Sequence, residues 1–79
     1  MPSVVNIAGY QFVPLDDLHA LRERLLRKCK GWGLRGTILI SSEGVNLFLA
    51  GGEAEVEALL GELRAIPGLA DFAPKRSVS

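Results

Sequence analysis

An α+β sandwich, four antiparallel strands with two helices on one face, is the fold predicted by this 79-residue chain. Three observations lead to it. Two apolar, β-prone runs flank Glu43-Gly44 across residues 36–51, which has the form of a hairpin. Stretches with apolar residues three and four apart lie on either side of that hairpin. Strand-like segments open the chain and follow the second of those stretches. The resulting order, strand, helix, strand, strand, helix, strand, is the split βαβ or ferredoxin-like pattern. Right-handed crossovers then put both helices on one side of the sheet and make the first and third strands central.

The first strand is predicted over residues 4–12, with Val5 and Ile7 toward the core and Asn6, Ala8 and Tyr10 on the other face. Pro14 stops it, and Asp16 is the expected N-cap of the first helix. That helix spans about residues 17–30. Its buried stripe is Leu18, Leu21, Leu25, Cys29 and Trp32, widened by Leu26, and Gly31 and Gly33 close it. In the hairpin, Glu43-Gly44 is placed at the turn centre, because glycine at the second central position allows positive φ. The implied register sets Ser42 opposite Val45, Ile40 opposite Leu47 and Ile38 opposite Leu49. One hairpin face is then aliphatic, and the other carries Thr37, Leu39, Ser41, Asn46 and Phe48.

After Gly51-Gly52 the second helix begins with Glu53 and Glu55 at the positive end of its dipole. It buries Val56, Leu59, Leu60, Leu63 and Ile66 and ends at Pro67-Gly68. The fourth strand is expected over residues 69–75, cut short or held to an edge by Pro74. The final residues 75–79 give no closing signal and read as a cut chain. Asn6, Ala8, Tyr10, Leu39, Ser41, Asn46 and Phe48 would share the sheet face that no helix covers, and a half-apolar face of that kind calls for something to cover it.

Seventy-nine residues make one small domain, and the hydrophobic content of 48% argues against disorder. Net charge is zero, which argues against gripping nucleic acid by bulk charge. The distribution is uneven. Residues 22–35 carry six bases against Glu23, and residues 43–71 carry six acids against Arg64. One cysteine forms no internal disulfide, and no Cys/His cluster suits a metal. Residues 1–3 lack a basic n-region, and no apolar run reaches the ~20 residues of a membrane span, so a reduced, cytoplasmic protein is expected.

Chemistry is sparse. His19, the sole histidine, lies beside Asp16 and Asp17 with no nucleophile near it and reads as a surface residue. Cys29 on an apolar helix stripe reads as a small buried hydrophobe, and Trp32 as a core anchor. Asn46, in an otherwise apolar strand, either bonds neighbouring backbone and fixes the turn or reaches a partner across the open face. The basic strip Arg22–Arg35, with Arg24, Lys28, Lys30 and Arg35 as candidate contacts, could meet phosphates, against the alternative of a merely solvated helix face. Tyr10 and Phe48 on the central strands suggest stacking aromatics of the RNA-recognition type, although the third strand lacks that motif's basic-Gly-aromatic run.

Two resemblances follow from particular residues. Trp32-Gly33-Leu34-Arg35-Gly36, Glu43-Gly44, Gly51 and the Glu-rich helix resemble the second half of the acylphosphatases. That family's phosphate loop and arginine have no counterpart in Gly9-Tyr10-Gln11-Phe12-Val13-Pro14, and its catalytic asparagine falls on Ile40. The resemblance implies the fold and not the activity. A closer one runs through Val4-Val5-Asn6-Ile7-Ala8-Gly9-Tyr10-Gln11-Phe12-Val13-Pro14-Leu15-Asp16-Asp17 and Gly36-Thr37-Ile38-Leu39 to Glu43-Gly44-Val45-Asn46. These residues look like the N-terminal domain of the rhodanese-related tRNA uridine hydroxylases, with Leu47-Phe48 a departure where many members carry smaller or polar residues.

What this second resemblance implies is a multidomain, cytoplasmic bacterial tRNA-modifying oxidoreductase that hydroxylates a wobble uridine with oxygen. Its rhodanese-like domain, with the active-site cysteine, would follow this module. Within this chain no catalytic, cofactor-binding or metal-binding residue is expected, and Cys29 is not that cysteine. The expected role is accessory: binding tRNA, or docking on the downstream domain through Tyr10, Leu39, Asn46 and Phe48, with Glu43 and Gly44 as turn residues. The alternatives are a small-molecule-binding or dimerising regulatory module and, least favoured, a residual acylphosphatase.

Overall fold

Alternation along the strands sends most of the aliphatic residues to one side, and the helices close over that side. The computed structural model describes residues 4–78; the opening residues 1–3, read above for a targeting signal, and Ser79 lie outside the described residues. The elements are β1 (Val5–Phe12), α1 (Leu18–Gly31), β2 (Arg35–Ser41), β3 (Gly44–Gly51), α2 (Glu53–Arg64) and β4 (Lys75–Val78). The four strands form one antiparallel sheet in the order β2-β3-β1-β4, so β1 and β3 are central. This is the expected ferredoxin-like, acylphosphatase-like topology.

The core lies between sheet and helices. Val5 and Ile7 from β1, Ile40 from β2, and Val45, Leu47 and Leu49 from β3 meet Leu25 and Cys29 of α1 and Val56, Leu59, Leu60 and Leu63 of α2. Leu18, Leu21 and Trp32 pack against this cluster while partly exposed. Leu26 does not widen the stripe: it stands 62% exposed, because it points away from the sheet that Leu25 covers.

Helix α1 begins one residue later than Asp16 implies. Asp17 is its N-cap, in the left-handed conformation (φ 54°, ψ 44°), and no side-chain oxygen caps the turn. Its other end is a Schellman motif. Gly33 sits at φ 68°, its N–H donates to Lys30 O at 3.2 Å, and Leu34 N–H donates to Cys29 O at 2.9 Å.

Two further corrections concern register. The hairpin loop is Ser42-Glu43, not Glu43-Gly44: Ser41 pairs with Gly44, Ile40 with Val45 and Ile38 with Leu47. A two-residue shift leaves every side chain on its expected face, because the strand period is also two. Ser41 Oγ accepts from Glu43 N–H at 3.2 Å and supports this tighter turn. Gly44 is required for a different reason from the one expected. It opens β3 at φ 152°, where a Cβ would lie 2.1 Å from Gln11 O on β1.

The fourth strand also lies elsewhere. Residues 66–72 form two successive turns, in which Leu69 N–H donates to Ile66 O and Phe72 N–H to Leu69 O. Their three-residue spacing drops Leu69 and Phe72 into the core, both almost fully buried. Arg64 Nε holds the segment by donating to Phe72 O at 3.0 Å. Pro74 lies against Gly9, whose missing side chain leaves room for it, and the strand starts only after this proline. Thus β4 begins where the expected strand was to end and comprises Lys75–Val78, residues that gave no closing signal in the sequence, and it pairs with Val5–Ala8.

Candidate functional site

The face opposite the helices is built from residues of one parity on each strand. The pairings set Leu39, Asn46 and Tyr10 in one row across β2, β3 and β1. The next row holds Thr37, Phe48, Ala8 and Lys75, and the row beyond it Arg35, Ala50, Asn6 and Ser77. Tyr10 (69% exposed), Leu39 (62%) and Phe48 (57%) are open to solvent, so the topology brings the expected docking residues together. Phe12, at 81%, joins them, its ring centroid 5.6 Å from that of Tyr10. Its parity with Tyr10 was already visible in the sequence, whereas the position of Lys75 required the true register of β4.

Asn46 lies centrally, between Tyr10 and Leu39, and its side chain is exposed. Among the described residues its amide makes no hydrogen bond, which removes the reading in which it fixes the turn; Ser41 does that instead. Depressions of about 500 and 530 Å³ lie on either side of the Tyr10–Asn46 pair. The first runs from Phe12 and Leu39 around the β2 edge to Arg22, which donates to Ile40 O at 2.9 Å.

The candidate cations do not form one strip. Arg24 and Lys30 are exposed on α1. Lys28 pairs with Glu62 of α2 at 3.4 Å and lies 5.8 Å from the Trp32 ring centroid, so it bridges the helices. Arg35 belongs by register to the open sheet face, beside Ala50 and Asn6. Most of the basic stretch therefore lies on α1 and most of the acidic stretch on α2, two neighbouring helices joined at Lys28–Glu62. On the same side, Glu57 of α2 accepts from Arg76 of β4, whose guanidinium holds that carboxyl below the ordinary glutamate value near 4.5.

The β1–α1 loop is poorly made for an anion. Val13 N–H donates to Glu43 O at 2.9 Å, Leu15 N–H donates to Ser42 O at 3.3 Å, and Pro14 has no N–H. Asp16 and Asp17 follow. Ile40, where the acylphosphatase resemblance places an asparagine, is buried against the helices. His19 is exposed, 3.7 Å from Glu23. Cys29 is buried, which pushes its thiol pKa up and disfavours the thiolate. Among the described residues no group of three or more His, Cys, Asp or Glu side chains is placed to hold a metal ion, and no helix is long and apolar enough to cross a membrane.

Sheet order and helix placement together define an acylphosphatase-like domain, whose first loop holds no arginine and whose position 40 is a buried isoleucine. Sequence comparison gives the family. The chain belongs to the UPF0176 acylphosphatase-like domain family, whose profile matches residues 4–79. It is 51% identical over 77 residues to the tRNA uridine(34) hydroxylase of Thiobacillus denitrificans, covering 98% of this chain and 31% of that protein. It is 46% identical over 76 residues to the enzyme of that name from Cupriavidus necator, covering 96% and 27%. For Bordetella petrii the identity is 48% over 79 residues, covering 100% and 31%. The chain thus spans less than a third of the length of these curated relatives.

Proposed function

We propose that this chain is the accessory, non-catalytic domain of a tRNA uridine hydroxylase, and that it helps to hold tRNA for a rhodanese-like catalytic domain elsewhere in the same protein. The observation that carries this reading is the near-complete match of the chain to less than a third of relatives bearing that name. The fold supports the non-catalytic part. An arginine and an asparagine are missing from the acylphosphatase positions, and two N–H groups of the first loop are bonded to the hairpin. In this reading the exposed cations of α1, Arg24 and Lys30, meet phosphates, and α1 borders the β2 edge through Arg22.

Titration of labelled tRNA with the protein across a salt series tests the reading. Affinity is expected to fall with salt, and Arg24→Gln and Lys30→Gln are each expected to reduce the log–log slope by about 0.9, the release expected for one phosphate contact. Acyl-phosphate hydrolysis is expected at background rate. Salt-independent or absent tRNA binding would remove the RNA role, and hydrolysis well above background would remove the non-catalytic one. A regulatory alternative draws on the two depressions beside Tyr10 and Asn46. It requires a ligand-induced rise in Tm or concentration-dependent dimerisation.

A further inference from the structure

Three of the chain's five aromatic rings, Tyr10, Phe12 and Phe48, stand on the one sheet face that the fold does not cover. The other two, Trp32 and Phe72, belong to the helix side, where they pack with the core. The polar complement of the open face is as selective as the apolar one. Its strand residues include the cations Arg35 and Lys75 and no carboxylate, in a chain that carries nine acids, and Glu43 at the hairpin loop is the acid that lines the depression beside Tyr10. Asn46 offers an amide donor and acceptor, neither engaged among the described residues, in the row that also holds Tyr10.

We propose that this face binds unpaired bases of an RNA strand. Bases would stack on Tyr10 and Phe48, Asn46 would meet a base edge between them, and Arg35 and Lys75 would meet the backbone. Tyr10 and Phe48 are diagonal neighbours on adjacent central strands, Tyr10 opposite Asn46 and Phe48 opposite Ala8. Such neighbours lie roughly 7–8 Å apart, so each ring can take its own base. Flat rings on an open sheet can stack only on bases released from a duplex, so the ligand class is single-stranded RNA or an unpaired loop. Stacking rings, two cations and an amide match the base faces, phosphates and base edges that an unpaired RNA strand presents. The inference rests on the tRNA-binding reading above and assigns the bases to this face.

The test uses the whole protein that carries this domain. Its ligands are a short fluorescein-labelled single-stranded oligouridylate, duplex RNA of equal length, and tRNA, followed by anisotropy. The single strand is expected to bind more tightly than the duplex. Tyr10→Ala and Phe48→Ala are each expected to weaken single-strand binding roughly 5- to 150-fold without changing the salt slope. Lys75→Gln and Arg35→Gln are each expected to lower that slope by about 0.7. Tyr10→Phe and Phe48→Tyr, which keep a ring at each position, should bind as the parent does, and they separate stacking from any general loss of structure.

Unchanged oligouridylate and tRNA affinity in both alanine variants would overturn the inference while leaving the tRNA-binding reading intact. A fall in Tm with unchanged RNA affinity would overturn it too, by showing the face to be covered by another part of the protein. Failure of the parent protein to bind any RNA would remove both.

Discussion

Adjacent residues on β3 live in different worlds. Leu47 is 3% exposed beneath the helices, and its neighbour Phe48 is 57% exposed on the opposite face. The same contrast runs through the whole sheet. One side carries Val5, Ile7, Ile40, Val45, Leu47 and Leu49 into a shared core, and the other leaves Tyr10, Phe12, Leu39 and Phe48 in water. Burial explains the first set, since it is what drives a chain of this size to fold. It does not explain the second, and an exposed cluster of large apolar side chains points to use rather than to stability. One face makes the domain, and the other is free to do something with it.

The sharpest way to expose that division is to cut into the covered side. Leu59→Ala on α2 removes a side chain with 0% exposure, so a loss of about 2–5 kcal/mol is expected from urea denaturation. Next in size is Gly44→Ala. At φ 152° a methyl group on this residue would stand 2.1 Å from Gln11 O, so β1 and β3 would have to part at the hairpin end. A loss of roughly 1–3 kcal/mol is expected, again read by denaturation. If Gly44→Ala were neutral, the close pairing of Phe12 with Gly44 would be wrong.

The smallest expected effect concerns pH. Arg76 lowers the pKa of Glu57, so the pair stabilises the fold at pH above the unfolded glutamate value near 4.5. That contribution is lost as pH falls through the lower, folded value. Arg76→Gln should therefore narrow the difference in Tm between neutral pH and pH below the folded Glu57 value by a small amount, since both side chains remain well exposed to solvent. An unchanged pH profile would mean that the ion pair contributes nothing to the fold.

Much of this architecture was legible in the sequence because it rests on parity and on helical spacing. Val56, Leu59, Leu60 and Leu63 announce the buried side of α2, and Tyr10, Leu39, Asn46 and Phe48 share a face whether the two-residue turn is Glu43-Gly44 or Ser42-Glu43. What depended on the exact residue was harder. Glu43-Gly44 looks like a turn pair, but Gly44 is needed by the neighbouring strand, a contact across the sheet that local pattern does not contain. Leu69 and Phe72 look like strand residues, but their spacing of three suits turns that fill the core, and only the fit of Pro74 on Gly9 shows where β4 can start. The cations were legible as a run, but not their division: Lys28 is engaged by Glu62 on the helix side, while Arg35 lies on the open sheet face.

The most direct test of a sheet with one structural and one functional face is a paired measurement on Leu47→Ala and Phe48→Ala, recording unfolding free energy and single-stranded RNA affinity for each. Leu47→Ala is expected to lose about 2–5 kcal/mol of stability while the folded protein binds RNA as before. Phe48→Ala is expected to lose about 1 kcal/mol or less and to bind RNA far more weakly. Equal loss of stability in the two variants, with RNA affinity untouched in both, would contradict the division.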